Sequence, residues 1–300
     1  MRTNIKNQSG FTLLEMIVVM VITGIIGGMV AVFLTWPVQQ YTDSARRAEL
    51  TDIADTAFQR VLRDIRSAVP NSVRIYGGAA NASFIEFLPT KSGGRYRGND
   101  IGGVLCGGGP GGDALVFGGD TCFTVIGPPV TAAVGDYLVV GSTQSNGALA
   151  YDQSVNGVLR RITGVAVTGG VQSITMAGAA ALPASAQLAS QRFQIVEGTG
   201  TTGTAGAVTY SCEPDPIGNG TFQLKRYSGY APTLVQKTQL QLAVTMANIP
   251  ILANNILPVC NFVYTAGTTQ HDGLVALSLQ ITESGETVSL YEEVHVSNAP

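Results

Sequence analysis

Residues 16–36 form a run of 21 residues without a charge, closed on its N-terminal side by Glu15. At about 1.5 Å per helical residue this run spans on the order of 30 Å, one hydrocarbon thickness. Beyond Pro37 the pattern changes. Leu50, Ile53, Ala54, Ala57, Phe58, Val61, Leu62 and Ile65 recur at i, i+3 and i+4, which predicts an amphipathic helix. The other face carries Asp43, Arg46, Arg47, Glu49, Asp52, Asp55, Arg60, Arg63, Asp64 and Arg66, five acids against five bases. It reads as a solvated face laced with local ion pairs. Pro70, Asn71 and Ser72 stop the helix near Val69. One long helix over 11–69 is therefore expected, with Gly24, Gly27, Gly28 and Pro37 as points of bending.

After Pro70 the period shortens. Short apolar or alternating runs at 84–88, 114–117, 122–126, 137–140, 158–167, 193–196, 207–212, 221–227 and 259–264 are separated by Gly, Asn and Pro clusters. Residues 274–282 alternate, Glu283-Ser284-Gly285-Glu286 turns, and 287–296 returns, the signature of a hairpin. No second helix of comparable length is expected. The fold class is α+β, with one or two small antiparallel sheets covering the C-terminal half of the helix. Turn residues at 146–157 mark a candidate division. The expected organisation is a leader 1–10, an apolar helix 11–36, an amphipathic half 37–69 and a β-rich domain 70–300.

Composition narrows the class. Hydrophobic residues make up 45% and charged residues only 12%, which fits a membrane-anchored or secreted β-rich protein better than a cytosolic enzyme. The formal charge of -3, with Lys and Arg spread along the chain, argues against nucleic acid as a partner. The leader carries Arg2 and Lys6 and no acid, the positive flank of a cytoplasmic side. Trp36 and Tyr41 sit where an interfacial aromatic belt belongs.

The candidates for chemistry are few. Cys106, Cys122, Cys212 and Cys260 all lie beyond the anchor, where an oxidising compartment permits disulfides. Spacing suggests Cys106–Cys122 and Cys212–Cys260, but four cysteines allow three pairings and the sequence does not choose among them. No CxxC occurs and no Cys has a nearby His, so zinc is not expected. His271 and His295 are the two histidines, with no nucleophile motif to serve. Gly112-Asp113 and Gly119-Asp120 repeat a Gly-Asp pair, yet two acids fall short of the several closely spaced oxygen ligands that a calcium loop requires. Gly-rich runs at 102–112 and 198–206 read as loops. Asp113 follows the first run where a phosphate loop needs Lys-Ser/Thr. No cofactor, metal site or enzymatic activity is expected.

A carboxylate at the edge of a lipid-length helix costs several kcal/mol unless it has a specific partner. Gly10-Phe11-Thr12-Leu13-Leu14-Glu15, followed by that span, resembles the class III signal of type IV pilins and type II secretion pseudopilins. The resemblance implies cleavage by a prepilin peptidase after Gly10, N-methylation of Phe11 and use of Glu15 in subunit assembly. It also implies the pilin "ladle", a long helix carrying a β-rich head.

Further patches are similar to the MshO family of mannose-sensitive haemagglutinin pilus biogenesis proteins. They are Val61-Leu62-Arg63-Asp64-Ile65-Arg66-Ser67-Ala68-Val69-Pro70-Asn71-Ser72-Val73-Arg74, Arg192-Phe193-Gln194-Ile195-Val196, Val208-Thr209-Tyr210-Ser211-Cys212 and the terminal Val294-His295-Val296-Ser297-Asn298-Ala299-Pro300. This resemblance implies a minor pilin at the filament tip. Its partners would be other minor and major pilins, the prepilin peptidase and the inner-membrane assembly platform. It would be anchored in the inner membrane by one span, with its C-terminal domain in the periplasm, until assembly into the pilus. A minor pseudopilin of a type II secretion system and a tip adhesin are the competing expectations.

Overall fold

The computed structural model describes residues 10–77, 83–99, 106, 112–144, 147–177, 182–198, 206–245, 248–267 and 271–298. The chain forms two compact units, Met1–Thr51 and Asp52–Pro300. A single helix, α1 (Leu13–Arg66, 54 residues), supplies the first unit and the first element of the second.

In the first unit α1 continues through Gly24, Gly27, Gly28 and Pro37. Pro37 has no N–H, so the Phe33 carbonyl lacks its usual i+4 donor. Thr23, Thr35 and Thr42 hydroxyls donate to the carbonyls of Val19, Val32 and Gln39 at 2.7–3.1 Å, which places these polar groups on the helix's own backbone. The side chains from Leu13 to Tyr41 are exposed, and α1 is long and apolar enough to cross a membrane.

In the second unit the stripe Ala54, Ala57, Phe58, Val61, Leu62 and Ile65 is buried, as the periodicity requires. The helix ends three residues earlier than Val69. Ser67 and Ala68 switch to i−3 bonds with Asp64 and Ile65, and the Ser67 hydroxyl also donates to the Asp64 carbonyl at 2.6 Å. Val69 then donates to the Leu88 carbonyl, and Asn71 takes a positive φ of 61.

The strands are β1 (Arg74–Gly77), β2 (Ser83–Phe87), β3 (Thr90–Tyr96), β4 (Cys122–Ile126), β5 (Tyr137–Val140), β6 (Leu159–Thr168), β7 (Val171–Met176), β8 (Arg192–Val196), β9 (Ala207–Pro214), β10 (Phe222–Tyr230), β11 (Ile251–Ile256), β12 (Asn261–Thr265), β13 (Gly273–Glu283) and β14 (Glu286–Val296). A seven-residue helix α2 (Gln239–Thr245) lies between β10 and β11. The first sheet runs β1-β2-β9-β10-β11-β13-β12, with β14 on the other side of β13. Strands β3 to β8 close a six-stranded antiparallel barrel in the order β3-β4-β7-β6-β5-β8, inserted between β2 and β9. The fold is α+β: a long N-terminal apolar helix whose C-terminal part packs on antiparallel sheet.

The closed barrel is larger than the small sheets expected. Two details explain it. β3 was not among the expected strands because Gly93 and Gly94 interrupt its pattern, yet a Cβ at Gly93 would lie 2.9 Å from the Phe193 carbonyl oxygen and one at Gly94 2.8 Å from the Phe193 ring. The glycines let β3 approach β8 closely. The run 114–117 is not a strand. Ala114 makes a single bridge to Arg97, and a turn with Gly118 at φ +85 follows. Nor is 146–157 a boundary. Ala150 and Tyr151 are buried with Tyr137, Val139, Tyr227, Tyr230 and Leu242 in the core that joins barrel to sheet.

The first sheet curls back on itself. The Ser83 hydroxyl of β2 accepts from the Phe262 N–H of β12 at 3.1 Å, although these strands are far apart in sheet order. The Cys212–Cys260 disulfide, with Cα atoms 6.0 Å apart, ties β9 to the turn before β12 at the same place.

Buried tyrosines give the fold an alkaline limit. Burial, then Asp64, raises the Tyr210 hydroxyl above its usual 10.0, and burial, then Glu213, does the same for Tyr227. Burial and Glu86 raise Tyr151 and Tyr230 as well. A folded pKa above the unfolded value contributes stability that is fully present below about pH 10 and is lost as pH rises toward the folded values. These four tyrosines are expected to ionise only together with unfolding above about pH 10, read by tyrosinate absorbance beside circular dichroism. Ionisation of all ten tyrosines while the fold persists would contradict this.

Candidate functional site

The N-terminal end of α1 carries the residues singled out in the sequence. Gly10, Phe11 and Thr12 precede the helix in non-helical backbone, and all are exposed, Phe11 at 79%. The Glu15 N–H donates to Thr12 Oγ1 at 3.3 Å and the Met16 N–H to the Thr12 carbonyl at 3.2 Å. Thr12 is thus the N-cap and Glu15 the third helical residue, the Thr-x-x-Glu arrangement of a capping box. This role for Thr12 was written in the spacing Thr12-Leu13-Leu14-Glu15 and was not read there. It leaves the Gly10–Phe11 peptide exposed just outside the helix and places Glu15 in the first turn, on an exposed apolar surface. Residues 1–9, with Arg2 and Lys6, lie outside the described residues. Trp36 and Tyr41 are exposed on α1, at 66% and 75%.

The remaining candidates are dispersed. Cys106 is bonded to Cys122 on β4, with Cα atoms 5.9 Å apart. The Asp113 carboxylate accepts from the Cys106 N–H at 3.2 Å, and the Asp120 carboxylate from the Val116 N–H at 2.8 Å, so both aspartates close local turns. Among the described residues no three His, Cys, Asp or Glu side chains gather as metal ligands. His271 lies exposed ahead of β13 and His295 exposed on β14, opposite Leu274. Most of both Gly-rich runs falls outside the described residues.

Sequence reasoning missed the charged groups buried in the second unit. Glu86 on β2 is fully buried, and the guanidinium of Arg74, directly across on β1, approaches its Oε2 at 3.0 and 3.1 Å. Burial raises the Glu86 pKa above the usual 4.5 against the pull of Arg74. The same guanidinium lies 3.7 Å over the Tyr151 ring and donates to the Thr233 and Leu234 carbonyls, fixing the segment after β10. Glu213, also fully buried, accepts from Tyr227 at 2.6 Å and Lys225 at 3.1 Å. Asp64, expected on a solvated face, instead turns to the sheet. It accepts from the Tyr210 hydroxyl at 2.7 Å and Arg226 at 2.9 Å. Period alone cannot reveal a helix residue whose partner lies more than 140 positions away in the chain. Each of these carboxylates is paired with a cation on a neighbouring strand, which suits holding elements together.

Residues 5–31 match the model of the prokaryotic N-terminal methylation motif. No curated protein and no solved structure matches the chain. The motif supports a type IV pilin-like or pseudopilin protein, a structural subunit class rather than an enzyme family. With the exposed apolar helix, it supports membrane anchoring through the N-terminus. For such a chain it implies maturation by a prepilin peptidase and assembly with other pilin-like subunits.

Proposed function

We propose that this chain is a minor pilin of a type IV pilus of the MSHA kind, acting in assembly at the filament tip. The observation that carries the reading is the N-terminal arrangement: an accessible Gly10–Phe11 peptide, a capped helix start and Glu15 one turn into an apolar span, all inside the methylation motif. In this reading residues 1–10 are a leader removed after Gly10. Residues 11–36 hold the subunit in the inner membrane and then in the filament, 37–69 carry the head, and 70–300 form the periplasmic domain. Phe11 becomes an N-methylated cation. Glu15 pairs with that cation on a neighbouring subunit, where low dielectric makes the attraction strong and a mismatched charge costly.

The tip position is supported by the bulk of the second unit, since a repeating subunit of a thin filament has a packing limit that a cap does not meet. The MshO-like patches at the helix end and the C-terminus point the same way. A minor pseudopilin of a secretion system is the second reading, because the same motif serves both assemblies. Neighbouring genes for pilins or for a secretin distinguish the two.

The role has a direct test. Deleting the gene is expected to reduce filament number far more than filament length, and quantitative proteomics of sheared filaments should place the chain well below the major subunit. Stoichiometric abundance, or normal piliation in the deletion strain, would overturn the tip role while leaving the pilin-like class intact.

A further inference from the structure

Strand β14 runs for 11 residues along β13 in unbroken register, from Glu283↔Glu286 at the turn to Gly273↔Val296. Ser284 and Gly285 both have positive φ, 49 and 90, so the hairpin turns over two residues and Glu283–Glu286 is a hydrogen-bonded pair. Alternation then fixes the rest. The even-numbered residues of β14 spend their backbone groups on β13. The N–H and C=O groups of Thr287, Ser289, Tyr291, Glu293 and His295 point away from it. Among the described residues β14 pairs with β13 alone, and no other strand takes that edge.

A long, regular edge is a template for another strand unless something blunts it. Here no bulge interrupts it and no Lys stands on it. Charge decides what fits. No Lys or Arg follows Lys237, whereas Asp272, Glu283, Glu286, Glu292 and Glu293 all do. On the edge itself Glu293 is exposed and Glu292 half-buried, next to exposed Tyr291. A second copy pairing through its own β14 would bring acid to acid, which is costly across a strand pair. A segment bearing Lys or Arg would bring complementary charge.

The geometry points to β14 as a docking edge for an extended, Lys- or Arg-bearing segment of another protein, added as a further antiparallel or parallel strand. Main-chain bonds to Thr287, Ser289, Tyr291, Glu293 and His295 hold the segment, and Glu292 and Glu293 select its charge. The inference rests on the assembly reading, in that the partner is another chain of the same assembly.

The test uses the full chain in assembling cells, with photoreactive benzoylphenylalanine in place of Tyr291 and, as a control, of the exposed barrel residue Val167. Irradiation is expected to join position 291, and not 167, to a Lys- or Arg-containing peptide of a different pilin-like chain. Ser289→Pro removes only an outward N–H, so it spares the β13 ladder and blocks the incoming strand. It and the double change Glu292→Lys/Glu293→Lys should each lower the adduct about tenfold or more, with thermal melting of the variants unchanged. An adduct between two copies of this chain, an adduct on an acidic or helical segment, or yields unmoved by Ser289→Pro would overturn the proposal, as would no adduct at 291. The N-terminus of the chain, read from the same sample, says separately whether it was processed as a pilin-like subunit, so the two readings fail independently.

Discussion

Glu15→Val is expected to leave the chain inserted in the membrane and to remove it from assembly. Insertion should survive because the change takes a polar group out of an apolar span. Assembly should fail because, under the proposed pairing, the methylated amine of a neighbouring Phe11 loses its counter-charge. At an effective dielectric constant of about 20, two unit charges about 4 Å apart attract by about 4 kcal/mol, roughly a thousandfold in the pairing equilibrium. The capping box provides the control. Glu15→Gln keeps a side chain able to serve in a Thr-x-x-Gln box but carries no charge, so the helix start is preserved and assembly should still be lost. Thr12→Ala does the reverse, costing about 1 kcal/mol at the helix start while keeping the charge. Incorporation into sheared filaments, measured beside membrane fractionation, separates the two roles. If Glu15→Gln assembles normally and Thr12→Ala does not, Glu15 acts through the helix cap and charge pairing is wrong.

Removing Arg74 is expected to give the largest loss of stability among single changes in the second unit. Arg74→Met strands the fully buried Glu86 without its cation, and breaking such a pair costs about 3–5 kcal/mol. That is roughly a fifth or more of the stability of an ordinary domain, about 5–15 kcal/mol. Arg74 also holds the Thr233 and Leu234 carbonyls, so amide exchange should rise at 233–245 first. The double variant Arg74→Met/Glu86→Leu should recover much of the loss, because a buried pair replaced whole by apolar groups is often neutral. Thermal melting followed by tyrosine circular dichroism measures this. A loss below about 1 kcal/mol for Arg74→Met would mean that Glu86 is neutral and needs no partner.

The elements that obey a simple period were legible in the sequence. The stripe from Ala54 to Ile65 is buried, and β4 and β5 stand where their apolar runs lie. The terminal hairpin turns at Ser284-Gly285, where the turn residues stand. What escaped has physical causes. β3 was hidden by Gly93 and Gly94, which serve a close approach visible only once Phe193 is in place. β1, β7 and β11 are short and mix polar with apolar residues, so neither period dominates. Asp64 read as a surface charge, and Glu86 and Glu213 drew no reading at all, because their partners lie on other strands. Barrel closure and the return of β12 to Ser83 depend on pairings between distant segments, which no local pattern encodes. At the N-terminus the reverse held. Gly10, Phe11 and Glu15 were conspicuous, because a charge beside a lipid-length apolar run stands out in any window, while the cap at Thr12 passed unread.

In the proposed function, residues 1–10 are a leader cut after Gly10 and the apolar helix stays with the mature chain. Intact mass and N-terminal peptide analysis of the protein from cells with an active prepilin peptidase measures it most directly. The account predicts a chain beginning at Phe11 with one added methyl group on its amine. A chain that retains Met1 to Gly10, or one cut beyond residue 36 so that the helix is lost, would contradict it.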